Sequence, residues 1–300
     1  MSGSGQGETL RPQPPGGSRV TRFVTRAGHR LSYESSGEAE APPLLALHDL
    51  LADRGQLRPL GAALSAAGFR VTLPDARGHG ASAMISESRY PPPELAADAL
   101  AVLDAEGVAA THVVAVGWGA AIALELAARH PDRVRSVTLI EPYLPALLQH
   151  HPNATAREYG DGHLKVFVEA IDAAYKGLTD RALDLFPGVR WGAGWRERTA
   201  KPRLGAIRRA AANLRPLLAG IGADQMDQAA LRSIQAEVTV LVRADSDPFE
   251  RWNAEAVALL VPGSGIQTVT IPHPDIGQPV IAPEWTPVLT RTLSAQEFRA

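Results

Sequence analysis

The chain has 300 residues, enough for one α/β domain with an insertion to bury a core without cross-links. A formal net charge of −2, no basic block and an aromatic share of 5% exclude an electrostatic surface for nucleic acid or anionic membrane. The absence of cysteine excludes disulfides, thiolate metal sites and a cysteine nucleophile, and no apolar run approaches the roughly 20 residues of a membrane span. A cytoplasmic protein with neither nucleic acid nor membrane as partner is expected.

Residues 1–18, rich in Gly, Ser and Pro, read as a flexible tail and not as a signal peptide. Alternating runs at 19–26 and 29–35, separated by Ala27-Gly28, predict a hairpin. The run P-L-L-A-L-H at 43–48 is that of a strand buried on both faces of a parallel sheet. Residues 54–67 predict a helix ended by Gly68, 69–73 a strand, 92–106 an amphipathic helix, and 112–116 and 134–140 further strands. From 144 to 234 the pattern is helical, with segments near 163–175, 179–185 and 204–218. Strands return at 238–242 and 267–271, and helices at 249–260 and 283–295. This alternation predicts a doubly wound, mostly parallel sheet, with a core from 19–143 and 235–300 around a helical insertion at 144–234. There is no internal repeat.

The chain is organised around residues 113–130, V-V-A-V-G-W-G-A-A-I-A-L-E-L-A-A-R-H, where a β-branched run breaks at Gly117-Trp118-Gly119 and passes into an alanine-rich helix. This strand, tight turn and helix resembles the nucleophile elbow of the α/β-hydrolase superfamily, whose G-x-S-x-G carries a serine on a strained turn. The loop P-D-A-R-G-H-G-A-S at 74–82 is similar to the D-x-R-G-x-G-x-S loop of the same superfamily. The resembling parts, 19–142 and 237–295, cover about two thirds of the chain. The resemblance implies an α/β-hydrolase fold with a helical cap inserted between sheet strands. Counted back from Arg129-His130-Pro131, it sets Gly117 at the serine position; a register two residues later sets Gly119 there. Neither offers a hydroxyl, thiol or carboxylate, so the usual covalent chemistry has no nucleophile.

The same resemblance places the other parts of the site. Arg243-Ala244-Asp245-Ser246-Asp247-Pro248 is similar to the family's G-x-x-D-P, with Asp247 as its acid. In Ile271-Pro272-His273-Pro274-Asp275-Ile276-Gly277-Gln278-Pro279 the position of the family's histidine is held by Ile276, and His273 lies three residues early between prolines. His48-Asp49-Leu50 stands where H-G-x contributes to the oxyanion hole, so the amides of Leu50 and Trp118 are its expected donors. Asp49 in place of glycine has three readings: repulsion of an oxyanion, a protonated or proton-accepting group in a dry pocket, or a cap on the following turn. His79 reads as architectural, and Trp191 and Trp195 as cap anchors or pocket walls. Gln149-His150-His151 with Asp161 and His163 lacks a metal-ligand spacing, and G-W-G-A-A lacks the features of a nucleotide loop, so neither metal nor cofactor is expected.

Three functions follow. The first encloses a small, largely apolar organic ligand among His48, Leu50, Gly117, Trp118, Tyr143 and the cap, either without turnover or with non-covalent acid/base chemistry (isomerase, lyase or cyclase type) using Asp49, Asp247 or His273. The second is a hydrolase in which His273 or Asp49 activates water directly. The third is a pseudoenzyme, structural or partner-binding, whose pocket is filled by side chains.

Overall fold

The computed structural model describes residues 20–82, 90–219, 226–271 and 284–297. Its centre is an eight-stranded sheet ordered β1-β2-β4-β3-β5-β6-β7-β8. The strands are β1 (Arg22–Arg26), β2 (His29–Ser36), β3 (Pro43–Leu47), β4 (Arg70–Pro74), β5 (Thr111–Val116), β6 (Val134–Ile140), β7 (Glu237–Arg243) and β8 (Gly265–Val269). β2 pairs antiparallel with β1 and β4, and every pair from β4 through β8 is parallel. The β1–β2 turn is Ala27-Gly28, both with positive φ, which matches the twist of the paired strands.

The helices are α1 (Arg58–Ala66), α2 (Pro92–Ala105), α3 (Gly119–Arg129), α4 (Ala154–Tyr175), α5 (Thr179–Trp191), α6 (Lys201–Ala210), α7 (Leu214–Ala219), α8 (Gln228–Arg232), α9 (Pro248–Leu260) and α10 (Trp285–Glu297). Leu57, Leu60 and Leu64 pack with Trp285, Leu289 and Leu293 under one sheet face, which puts α1 and α10 there. Apolar residues of α2, α3 and α9 share a second core on the opposite face with helices of the 144–234 segment. Burial on both sides is why β3 and β5 need continuous apolar runs, and each buried Leu or Val contributes roughly 1.5–3 kcal/mol. Among the described residues no helix is long and apolar enough to cross a membrane.

Three helical expectations within 144–234 shift. α4 starts at Ala154, not near 163, because Asn153 caps it by accepting from the Thr155 amide; Gly160 in its second turn breaks the apolar period. That glycine serves close approach, since a Cβ there would lie 2.7 Å from Leu148 Cβ. α5 continues through Pro187 and Gly188 to Trp191, beyond the expected end at 185. The stretch expected as one helix at 204–218 is two, α6 and α7, joined by a 3-10 turn at Ala211–Asn213.

Candidate functional site

β5 delivers Val116 to the carboxyl end of the sheet, and the turn into α3 has its positive φ, +54°, at Gly117. Gly119 has no positive φ, and a Cβ on it would meet the carbonyl oxygens of His48 and Leu47 at 2.7 and 2.9 Å. A Cβ on Gly117 would lie 2.5 Å from Asp49 Cγ and 2.7 Å from Arg190 Nη2. The space beside the turn that an elbow side chain would enter is therefore filled by the Asp49 carboxylate.

That carboxylate comes from the loop after β3 and is almost fully buried. Its Oδ1 accepts from the Leu50 amide at 2.8 Å and the Trp118 amide at 2.9 Å, so both expected oxyanion donors already hold an anion. Its Oδ2 lies 2.7 Å from Arg190 Nη1, which reaches across from the last turn of α5. The ion pair is close but poorly aligned: Nη1 has no hydrogen-bond acceptor among the described residues. Burial pushes the Asp49 carboxyl up, yet Arg190, Arg203 and the Trp118 amide outweigh it and hold the group below the usual aspartate range. This geometry selects among the readings of Asp49: it is an ionised acceptor, not a protonated group, and the following turn is capped by Asp53, which accepts from the Gly55 amide.

The side of the site formed by Tyr143 and the 144–234 segment is aromatic and cationic. The Arg190 guanidinium lies 4.4 Å from the Tyr143 ring centroid and 5.7 Å from that of Trp191. Arg203, from α6, donates to the Leu51 carbonyl at 2.7 Å and the Leu50 carbonyl at 3.3 Å. Burial is the main cause that lowers Arg203 to about 10, with Arg190 adding repulsion. Tyr143 is buried, its hydroxyl pushed up by burial, and it lies 2.9 Å from His163 Nδ1 on α4. Burial and Arg190 lower His163 to about 4, so the imidazole is neutral at neutral pH. His163 also stacks on Phe249 at 3.9 Å.

Other candidates take different places. His48 links the loop to its neighbour, with Nδ1 2.8 Å from the Asp49 carbonyl and Nε2 accepting from the Ala76 amide. His79 is fully buried, lowered by burial to about 3, and its Nε2 accepts from the Leu51 amide, an architectural role. Asp247 is exposed and caps α9 by accepting from the Glu250 amide. Leu50 and Trp118 contribute their amides here, while their side chains belong to the core. Trp195 is buried, and Trp191 is partly buried against Arg190 and Arg203. His151 pairs with Glu255 and Gln149 with Asp161, apart from His163. His273 and Ile276 lie outside the described residues.

Sequence reasoning missed Arg190, Arg203, Glu141 and Glu250. Glu141, buried just past β6 at a φ of +44°, is bound by Arg243 Nη1 at 2.6 Å and by the Ser246 hydroxyl at 2.7 Å. Glu250 is pushed up to about 7 by burial and by Glu141 and Asp247. Arg190 sits in the Gly-rich stretch after Pro187 that reads locally as loop, and nothing in that stretch signals a partner 141 positions earlier in the chain.

The profile of the alpha/beta hydrolase fold matches residues 42–258. Epoxide hydrolase B of Mycobacterium tuberculosis is 33% identical over 123 residues, which is 40% of this chain and only 35% of that protein's length. RutD of Variovorax paradoxus, for which carbamate hydrolysis is proposed, is 28% identical over 224 residues, 74% of this chain and 80% of that one. An alpha/beta hydrolase structure from Sphaerobacter thermophilus covers 91% of this chain and all of its own at a TM-score of 0.71 and 22% identity, a likeness of fold. With the elbow-type turn, the eight-stranded sheet and a profile spanning most of its length, the chain belongs to the α/β-hydrolase fold family.

Proposed function

We propose that this protein holds a small organic ligand between a core formed by 19–143 and 235–300 and a cap formed by 144–234, and that it does not carry out acyl transfer through an elbow nucleophile. The observation that carries this is the Asp49 carboxylate: one oxygen sits on both the Leu50 and Trp118 amides, beside a Gly117 that has no side chain. An acyl-transfer transition state needs those two donors empty for its own oxyanion, and a fixed carboxylate there opposes it by like-charge repulsion. The hydrolyses named for the epoxide and carbamate relatives would need a nucleophile or base at this point. Asp49 makes a poor base for water, because its cationic neighbours hold it ionised at low pH and thereby reduce its proton affinity. Any chemistry at this site is thus non-covalent, with the hydrogen-bonded Tyr143 and His163 neutral beside it.

The test is a panel of short-chain p-nitrophenyl esters together with a fluorophosphonate probe, applied to the wild type and to Asp49→Ala. The expected result is ester loss at the buffer rate for both proteins and no phosphonate adduct by intact-mass spectrometry. Stoichiometric phosphonylation, or a burst of p-nitrophenol, would overturn the reading.

A further inference from the structure

We infer that the ligand of this site carries a carboxylate, which binds to Arg203 and to the solvent-facing edge of Arg190. This deepens the reading above and rests on it. The first observation is an imbalance of charge. Around the elbow, Arg209 is paired with Asp53 at 2.8 Å and Arg243 with Glu141 at 2.6 Å. Asp49 is then the main carboxylate facing two guanidiniums, Arg190 and Arg203, with smaller contributions from Glu250 to the first and Asp53 to the second. Arg203 donates only to backbone carbonyls and has no carboxylate at ion-pair distance among the described residues. A partly buried cation with no carboxylate at ion-pair distance loses hydration without gaining a partner, and a bound anion relieves that cost.

The second observation is access. The side chain of Arg190 is 15% exposed where that of Asp49 is 3% exposed. Arg203 is likewise only partly buried. The third is placement: Arg190 Nη1 lies 2.7 Å from Asp49 Oδ2, and this ion pair holds the guanidinium in position. The fourth is the chemistry of the walls. Trp191, partly buried, presents its ring to both guanidiniums, an apolar surface suited to the body of an aryl or alkyl acid. Asp49 acts as an internal anion: it anchors Arg190 and limits how tightly a second carboxylate can bind. Glu250, the other acid that acts on Arg190, sits near its own midpoint at neutral pH and so opposes an incoming anion only in part.

The experiment is isothermal titration of the full chain with sodium benzoate and with benzamide, its neutral isostere. Benzoate is expected to bind at least about tenfold more tightly than benzamide, and Arg203→Gln to lose about tenfold in benzoate affinity. Asp49→Asn, which keeps an oxygen for the two amides and removes the competing charge, is expected to bind benzoate more tightly than wild type. That gain cannot come from misfolding, so it holds even where Arg203→Gln is unstable. Equal binding of benzoate and benzamide, or no benzoate binding by either wild type or Asp49→Asn, would sink the carboxylate inference. In the first case the ligand-binding reading stands and only the charge preference fails; phosphonate labelling is the separate result that removes the reading of a site without an elbow nucleophile.

Discussion

Two groups of buried charges lie at the carboxyl ends of the neighbouring strands β3 and β4, and they are built differently. In the first, Glu34 and Asp75 face Arg54 and Arg58, two carboxylates against two guanidiniums. Arg54 bonds Glu34 through Nε at 2.9 Å, Ser32 and Asp75 through Nη1, and Thr21 through Nη2 at 3.0 Å. Asp75 in turn accepts from the amides of Arg54 and Ala81, both at 2.8 Å. In the second, Asp49 faces Arg190 and Arg203, and one Arg190 nitrogen is left without an aligned acceptor. The first group is closed: its charges cancel and its donors are used, as expected of a network that fixes a loop to the sheet. The second is open in charge and in hydrogen bonding, and its two arginines come from α5 and α6. A buried ion cluster is a candidate for binding when its sum is incomplete, not merely because it is charged.

The largest expected effect breaks the closed group. Arg54→Met leaves Glu34 and Asp75 buried with too little positive charge and should cost about 3–5 kcal/mol in urea unfolding. Arg190→Met should cost only about 1–2 kcal/mol, because Asp49 keeps two amide donors and the field of Arg203. Equal losses in the two variants would show that the elbow group is structural in the same sense as its neighbour.

A second change sharpens the contrast at the turn itself. Gly117→Ser places a Cβ against the Asp49 carboxyl at a positive φ and should destabilise by about 2–4 kcal/mol. Adding Asp49→Gly removes the obstruction, so the double variant should recover at least about 1 kcal/mol relative to the sum of the single changes. Strict additivity in thermal and urea melts would mean that the two positions do not share one space.

The smallest effects are in pH. Burial raises Glu34, but Arg58 and Arg54 outweigh it and lower the group to about 2; its stabilisation is full above the unfolded value of 4.5 and is lost as pH falls toward 2. Glu250 is raised to about 7, so its contribution is present below 4.5 and is lost as pH rises through 7. Glu34→Gln should therefore flatten the acid limb of the stability profile, and Glu250→Gln the limb between pH 5 and 8, with the smaller amplitude for the more exposed Glu250. Denaturation midpoints across the pH range check both.

Local pattern alone carried most of the architecture. The hairpin around Ala27-Gly28, the apolar runs of β3 and β5, the strands β6 and β7 and the turn at Gly117 are all legible, because burial on two faces, positive φ and helix periodicity leave marks within a few adjacent residues. Asp49 was legible as an anomaly, since a carboxylate stands where the resembling motif has glycine. Where its side chain would go was not legible. That depended on the Trp118 amide, 69 positions away, and on an arginine delivered by α5, a helix that continues through a proline and a glycine which read locally as its end. Composition and periodicity determine which segments must be buried together. The pairing of one buried charge with another depends on where separate elements cross, and only the tertiary structure decides that, because the Coulomb energy follows distance in space and not separation along the chain.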